Sequence, residues 1–274
     1  NTRNPLVQMG LLLDANAIPI TYRLFTGNTH DSQTMMPLLQ ETRKTYGLNR
    51  VIIVADKGLN SGDNVAFLMV KGDGFVFSQK IRGASQELKE YVFNPAGYVV
   101  KEGVVKATDL WSQQVENQDV PAFRMKSRLS PQEFWVTYQD DKKRKIPLDV
   151  KQIVCYNELY ARRQKHKRAE LLEKAQKIIS HPKRYSKKEA GGALRYVKNI
   201  EYNAETGECI NTKCIPYLDL DKIREDEKYD GYYAIITSEV DMPDHEVVKA
   251  YHGLWEIERS FRITKSNLKS RPVY

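Results

Sequence analysis

The chain has 274 residues, of which 41% are hydrophobic and 28% are charged. This balance is typical of globular proteins and excludes a disordered chain, and the length suits one large domain or two ordinary ones. The net charge of +8 favours a polyanionic partner, although many basic proteins bind none. No apolar run reaches the roughly 20 residues of a membrane span, and no signal peptide is recognisable.

The three cysteines, Cys155, Cys209 and Cys214, form neither an even-numbered disulfide framework nor a Cys-x2-Cys zinc motif. They therefore indicate a reducing compartment and inert thiols. The chain starts with Asn1 instead of an initiator Met, within strand-like sequence. We expect it to be a fragment of a longer protein.

The first 78 residues predict an alternation of strands and helices. The strands are apolar or β-branched runs of the kind found in buried strands. Only a short turn containing Asp14 separates the first two runs, which predicts an antiparallel hairpin. The predicted order is strand 6–13, strand 18–25, helix 35–47, strand 51–55, helix 60–70 and strand 74–78.

Two aspartates in this region are candidate ligands. Asp31 precedes the first helical pattern, where it is either a metal ligand or, more commonly, an N-cap that accepts amides of the first turn. Asp56 follows the buried run 51–55 and precedes Gly58, which permits a sharp exit. Open α/β sheets bind ligands at the carboxyl ends of their strands, but turns and helix caps also favour Asp. Both interpretations of Asp56 stay open on this evidence.

Residues 80–228 differ in character and predict short strands around one long helix. The strand-like segments are EYVFN at 90–94, GYVVKEG at 97–103, FWVTYQ at 134–139 and a run at 153–156. A helix is predicted over 158–180 and ends before Pro182. The segment 222–228 is polar and is predicted to be a link.

Two features of this region are candidate nucleic-acid contacts. The long helix carries a basic cluster of Arg162, Arg163, Lys165, Lys167 and Arg168. Such side chains displace counterions from phosphate, so Arg162, Arg163 and Lys165 are candidate DNA contacts, with a solvated charged face as the alternative. Trp111 and Trp135 are expected in the core, with stacking on an unpaired base as the alternative.

The end of the chain predicts a strand at 230–237 and a helix after Pro243. A further amphipathic helix is predicted over 251–265. His245 and His252 lack a Cys, His or carboxylate at metal-binding spacing, and we expect both at the surface.

Three polar residues of the last predicted helix form one row. Tyr251, Glu258 and Lys265 are spaced seven apart, and a helix drifts by only about 20° per heptad. The row borders the apolar stripe, so Glu258 is placed at the rim of a core, which suits a catalytic carboxylate. The alternative is a surface helix in which Glu258 pairs with Arg262 one turn later.

The pattern Tyr-x2-Leu-x3-Glu-x6-Lys at 251–265 resembles the Tyr-Arg-Glu-Lys signature of bacterial insertion-sequence transposases of the DDE type. The flanking WEIERSFRITKSNLKSRPVY and the upstream blocks GLLLDANAIPITYRLFTGNTHDSQT and VIIVADKGLNSGDNV are also similar to this family. Leu254 stands where the signature usually has Arg. Because Leu cannot provide the Arg fork for a phosphate, Arg259 or Arg262 is left to compensate.

The resemblance implies an α/β fold with a ribonuclease H-like core whose first strand is missing from this chain. It implies that a strand-rich insertion domain at 80–228 separates two parts of the core at 1–79 and 229–274. The insertion domain is expected to fold over the active site and help hold the DNA end. The first catalytic Asp of the family lies on the strand before residue 1, so we expect the fragment to be inactive alone.

The resemblance also implies the chemistry. It assigns Asp56 and Glu258 as catalytic ligands of Mg²⁺ or Mn²⁺, with two ions expected in the full-length protein. Carboxylates suit these hard ions, and two ions stabilise both the attacking and the leaving oxygen of a phosphodiester. It assigns Tyr251 and Lys265 to phosphate contacts, and Arg262 is a further candidate.

The implied function is metal-dependent cleavage and strand transfer in DNA transposition. The partners would be double-stranded DNA, as element ends and target, and a second copy in a homodimer on paired ends; a membrane is not expected. The implied setting is the bacterial cytoplasm, at the nucleoid. A catalytically dead DNA-binding remnant and a general nuclease of the same fold are the alternatives, although a plain nuclease has no evident use for the long insertion.

Overall fold

The computed structural model describes residues 7–16, 18–100, 122–210 and 215–254. The chain divides into two compact units, the first made of residues 1–155 and 233–274 and the second of residues 156–232. Both helices and strands are abundant, which confirms the predicted α/β class. The division into 1–79, 80–228 and 229–274 stays a prediction.

The strands are numbered in chain order. They are β1 (Val7–Leu13), β2 (Pro19–Thr26), β3 (Ile52–Ala55), β4 (Gly74–Gln79), β5 (Val99–Val100), β6 (Phe123–Thr137), β7 (Lys143–Asn157), β8 (Val197–Lys198), β9 (Glu201–Tyr202), β10 (Cys209–Ile210), β11 (Tyr217–Leu218) and β12 (Tyr232–Thr237). Six of them form one sheet in the order β3-β4-β12-β7-β6-β5. The predicted strands at the start of the chain and near 230–237 are confirmed within one or two residues.

The α-helices of the described residues are α1 (Met35–Tyr46), α2 (Gly62–Val70), α3 (Gln86–Phe93), α4 (Glu158–Ser180), α5 (Lys187–Ala190), α6 (Leu220–Glu227) and α7 (Asp244–His252). Within the described parts of the chain, no helix combines the length and apolar character needed to cross a bilayer. The order β1, β2, α1, β3, α2, β4 is the predicted one.

Strand β4 lies second from one edge of the six-stranded sheet and is covered on both faces. Phe75, Val76 and Phe77 are fully buried. Because side chains alternate along a strand, Val76 packs with Val247 and other residues of one cluster, whereas its two neighbours pack into another. Strand β3 pairs parallel to β4, and β12 pairs antiparallel on the other side.

The hairpin β1–β2 forms a two-stranded sheet of its own. The strands are antiparallel, as predicted, and their turn is stabilised by Asp14, whose Oδ1 accepts the N–H groups of Asn16 and Ile18 at 2.8 Å each. Such a hairpin is marginal alone and needs further packing for stability. Part of that packing comes from α1, since Leu38 approaches Gly10.

A largely buried ion pair joins α1 to the starts of β3 and β4. The Arg43 guanidinium binds both carboxylate oxygens of Asp73, whose side chain is fully buried. Asp73 also accepts the Val51 N–H at 3.0 Å, just before β3 begins. The pair therefore fixes the end of α1 and the turn before β4 relative to β3.

Two segments differ from the prediction. EYVFN at 90–94, predicted as a strand, lies mostly in α3, because Ser85 caps that helix and Leu88 and Val92 are buried one turn apart. The segment 222–228, predicted as a link, belongs mostly to α6. Asp219 caps α6, and its buried Asp226 pairs with Lys222 one turn before.

The second unit is organised around α4, which has the predicted bounds. Asn157 caps the helix by accepting the Tyr160 N–H at 3.0 Å. Ala175 and Ile178 of its later turns are fully buried and pack with Tyr196. This apolar contact holds the long, otherwise polar helix in place.

Arg168, part of the predicted basic cluster, has a structural role. Only 6% of its side chain is exposed, and it donates two hydrogen bonds to the Asp230 carboxylate at 2.7 and 2.5 Å. These bonds raise the pKa of the guanidinium above its usual value. A buried paired Arg is not available to a phosphate.

We expect Arg168→Gln to lower the unfolding free energy by about 3 kcal/mol, because it leaves the Asp230 carboxylate unpaired in a poorly solvated site. Lys167→Gln is the matched control. That neighbouring side chain is exposed, so its loss should cost less than about 0.5 kcal/mol. Urea denaturation measures both, and equally small effects would contradict the structural role of Arg168.

Candidate active site

Asp56 lies at the carboxyl end of β3 and is held by a neighbouring strand. Its Oδ1 accepts the Ser78 hydroxyl at 2.6 Å and the Lys57 N–H at 2.7 Å. Ser78 is buried near the end of β4. Both hydrogen bonds that this carboxylate accepts within the described residues go to Oδ1, so Oδ2 is left to bind another group. The carboxylate itself is exposed.

Of the two alternative roles of Asp56, a turn residue and a helix cap, the structure shows only the first. Its carbonyl accepts the Leu59 N–H at 3.0 Å, so Asp56 does begin a turn. It does not cap α2, because the N-cap there is Ser61, whose hydroxyl accepts the Asn64 N–H. The Ser78 hydroxyl fixes the orientation of the carboxylate in addition to the turn, and the ligand role of Asp56 stays a prediction.

Asp31 does not take the predicted N-cap position of α1. The N-cap is Thr34, because a 3-10 turn at Asp31–Gln33 intervenes. The Asp31 carboxylate instead lies beside the loop after β3, with Oδ2 3.3 Å from the position a Cβ would take on Gly58. The structure thus brings a second carboxylate to the loop that carries Asp56.

The chemistry of this donor set fits a divalent cation, because an exposed carboxylate with a free oxygen is a ligand that Mg²⁺ prefers. The described residues contain no group of three or more His, Cys, Asp or Glu side chains that could hold a metal. Glu258, Arg262 and Lys265 lie outside the described residues, as do Trp111 and Cys214. Their predicted roles stay predictions.

Tyr251 belongs to α7 and not to a separate helix that starts with it. The helix ends at His252, Gly253 is a turn residue, and Leu254 is helical again. Tyr251 stacks on Tyr233 of β12, with ring centroids 6.2 Å apart. The prediction of one uninterrupted helix from residue 251 is therefore wrong at its start, and the phosphate contact of Tyr251 stays a prediction.

His252 was expected at the surface, but it is packed against the core. Its Nε2 lies 2.8 Å from the Tyr233 hydroxyl, and its Nδ1 is inaccessible to solvent. Burial lowers the pKa of this imidazole to about 4. Burial likewise raises the pKa of the neighbouring Cys155 thiol to about 12, in keeping with the predicted inert thiol.

Two of the three candidate DNA contacts of the second unit are exposed, and the third, Arg163, is partly buried. Arg162 is exposed and pairs with Glu158 at 2.6 Å, and Lys165 is also exposed. In the first unit, Trp135 is 57% exposed, so its predicted place in the core is wrong. The Lys145 ammonium lies 5.4 Å from the Trp135 ring centroid.

A basic and aromatic row on β6 was missed at the sequence level. Arg124, Lys126 and Arg128 alternate along the strand and therefore lie on one face. Tyr91 and Tyr98 pack against them, with the Lys126 Nζ 4.4 and 4.3 Å from their ring centroids. Burial lowers the pKa of Lys126. The sequence did carry one signal for this row, because a cation recurs at every second residue from 124 to 128.

This row leads to a cavity of about 420 Å³ near Asp56. Ser78, which holds Asp56, and Lys57, which follows it, both line the cavity. Arg128 and three glutamines line it as well, so the cavity is polar and basic. Its lining comes from separate parts of the chain, which no local sequence pattern reveals.

Comparison with known protein families identifies the family of this chain. A family model described as the transposase DDE domain matches residues 1–273. The chain belongs to this transposase family. Among curated proteins, no match was found. The predicted kinship with DDE-type transposases is confirmed, and membership of this family implies a DNA substrate and a general dependence on divalent metal ions.

We expect the stability of this transposase domain to fall between pH 6.5 and about pH 4 because of His252. In the native state its pKa is about 4, so the unfolded chain binds the extra proton first as the pH is lowered. The full shift corresponds to about 3 kcal/mol, and the effect is absent above pH 6.5.

Denaturant unfolding at pH 7.5 and pH 4.5 measures this effect. Because other groups also titrate, the comparison is with His252→Gln, which cannot be protonated and should lose less stability on acidification. Equal losses in the two proteins would contradict the buried neutral state of His252.

Proposed function

We propose that this chain forms the catalytic region of a transposase that cleaves DNA strands and transfers the freed 3′ ends with divalent metal ions. The observation that carries the proposal is the Asp56 carboxylate, oriented by Ser78 at the end of a strand that pairs parallel to β4. The family match over residues 1–273 supports it, because this family acts on DNA.

The ribonuclease H-like core is part of the proposal. The element order from β1 to β4 and the parallel pairing of β3 with β4 support it. In such sheets ligands bind outside the carboxyl ends of the strands, which is where Asp56 lies. The insertion domain at 80–228 is the segment that would separate Asp56 from Glu258 along the chain.

Each residue has a defined task in the proposed mechanism. Asp56 and Glu258 would hold the metal ions, which supply an activated attacking oxygen and neutralise the leaving oxygen. Ser78 keeps Oδ1 of Asp56 occupied and so presents Oδ2. Tyr251 and Lys265 would hold the phosphates beside the scissile bond, with Arg262 as a further contact.

We expect Asp56→Asn and Glu258→Gln each to reduce Mg²⁺-dependent nicking of element-end DNA by at least about 100-fold, because each removes a charged metal ligand. The assay uses the longest reading-frame product that contains this chain. Asp241→Asn is the matched control, since Asp241 is an exposed Asp of the first unit.

Undiminished nicking by Asp56→Asn or Glu258→Gln would refute the assignment of that residue. A random duplex of equal length is included as substrate. Equal nicking of both DNAs would favour a general nuclease over a transposase.

The basic face of α4 is proposed as a DNA contact. Replacing Arg162, Arg163 and Lys165 together with Gln should flatten the slope of log K against log salt by about 2 to 3, because each lost phosphate contact contributes about 0.9. The control replaces Lys44, Lys71 and Lys142 with Gln. These three lysines are exposed, and their replacement removes the same charge as the α4 variant. Equal slopes in the two triple variants would mean that these α4 side chains contact DNA phosphates no more than the control lysines do.

A further inference from the structure

Gly58, two residues after Asp56, lies directly against the side chain of Asp31. The three atoms nearest to the position that a Cβ would take on Gly58 all belong to Asp31, with Oδ2 at 3.3 Å, Cβ at 3.6 Å and Cγ at 3.9 Å. The φ angle of Gly58 is not positive, so its backbone conformation does not require glycine. What the missing side chain provides is room for the Asp31 carboxylate.

The position of Asp31 is fixed by the 3-10 turn that precedes α1. Its carbonyl accepts the Thr34 N–H at 3.1 Å and the Thr34 hydroxyl at 2.7 Å. The turn leads into α1, whose Met35 and Leu39 are buried in the same core as Ala55, the last residue of β3. The backbone of Asp31 is therefore held beside the end of β3 by core packing and by backbone hydrogen bonds, independently of its carboxylate.

The loop between β3 and α2 has further supports of its own. Asn60 Nδ2 donates to the Ser78 carbonyl at 3.1 Å, and Asn64 Nδ2 donates to the Leu59 carbonyl at 2.9 Å. These neutral amide contacts tie the loop to β4 and to α2. A carboxylate beside the same loop adds what these contacts do not supply, which is negative charge.

The charge of Asp31 acts in the neighbourhood of Asp56. Both side chains are exposed and belong to the same compact unit. Because Gly58 is only two residues from Asp56, the two carboxylates face the same short loop. Like charges at such a place disfavour each other, and a bound cation removes that cost. The pair therefore favours a divalent cation more than Asp56 alone does.

The contacts of the two carboxylates suggest different tasks. Asp56 has its Oδ1 occupied by Ser78 and Lys57, and its Oδ2 is left for a ligand. Asp31 instead has its Oδ2 against Gly58. Mg²⁺ usually takes only one or two carboxylates directly and keeps several waters, and groups that accept hydrogen bonds from those ligands tune its affinity. Asp31 suits this outer position.

We propose that Asp31 is a positioning residue of the active site, whose carboxylate accepts hydrogen bonds from water on the ion that Asp56 holds. Gly58 is free of a side chain so that this carboxylate can approach. The inference rests on the proposed function, since that function supplies the ion. It adds an acidic residue to the site that the assignment of Asp56 and Glu258 does not include.

The first test removes the charge of Asp31 and keeps its size. In Asp31→Asn, Mn²⁺ affinity should fall by about tenfold, the lower end of the effect of such outer groups. The signal of free Mn²⁺ in electron paramagnetic resonance measures this affinity without DNA, on the longest reading-frame product that contains this chain. Asp241→Asn, which removes an exposed Asp of the first unit, is the matched control and should bind Mn²⁺ normally.

Nicking of element-end DNA gives a second readout. For Asp31→Asn, the Mg²⁺ concentration at half-maximal rate should rise by about tenfold, whereas the rate at saturating Mg²⁺ should change less than about twofold. This split is expected because Asp31 acts on the affinity of the ion and does not touch the DNA.

The second test fills the space beside Asp31. In Gly58→Ala the new Cβ would lie 3.3 Å from Asp31 Oδ2, so the carboxylate must shift by a few tenths of an ångström. We expect Mn²⁺ affinity to fall by about threefold, and to fall no further when Gly58→Ala is added to Asp31→Ala, because coupled residues are not additive. Additive losses would mean that Gly58 does not act through Asp31, which contradicts the inference.

Three other results would overturn the inference. One is normal Mn²⁺ affinity in Asp31→Asn, and another is a loss as large as that of Asp56→Asn, which would make Asp31 a direct ligand. The third is a lowered urea midpoint of Asp31→Asn, which would assign Asp31 to the fold. Normal Mn²⁺ binding by Asp56→Asn is a different outcome, because it would contradict the proposed function itself.

Discussion

The account depends on the hydrogen bond from Ser78 to Asp56, which joins the ends of two parallel strands. It forms only if β3 and β4 pair in the observed register, with Ala55 opposite Phe77, so that the residues that follow are also neighbours. That register is held by burial of β4 on both faces and by Asp73, which binds Arg43 and the Val51 N–H. Fold and site are thus fixed by the same contacts.

Charge alone is a poor guide to function in this protein. The net charge of +8 favours a polyanion, yet Arg43 is partly buried against Asp73 and Arg168 is buried against Asp230. Breaking such a pair is costly because one charge is left unpaired in a poorly solvated site. The cations that can still meet a polyanion are those that remain exposed, such as Lys57 and Lys80.

Local patterns predicted the first part of the fold well. Continuous apolar runs correctly predicted β3 and β4, because a strand that is covered on both faces has apolar side chains at successive positions. Asp56 was recognised as a candidate ligand because it follows such a run. EYVFN was misassigned, because its β-branched and aromatic residues fit a strand equally well and the Ser85 cap decided for a helix. His252 and Trp135 were misplaced because exposure depends on tertiary neighbours, which periodicity does not report.

The candidate site was predictable only in part. Asp56 carries a local signal, whereas its partner Ser78 lies 22 residues away, and the cavity joins residues from β4, α3, β6 and β7. The approach of Asp31 to Gly58 likewise has no sequence signature. Long-range contacts of this kind become visible only in the folded chain.

The central claim is that Asp56 and Glu258 share a metal site. Iron-mediated cleavage tests it most directly: Fe²⁺ replaces Mg²⁺, and the hydroxyl radicals generated with ascorbate and peroxide cut the backbone beside the bound ion. The account predicts cuts near both residues 56 and 258, suppressed by excess Mg²⁺ and lost in Asp56→Asn. Cuts near only one of the two positions, or cuts that persist in Asp56→Asn, would contradict it.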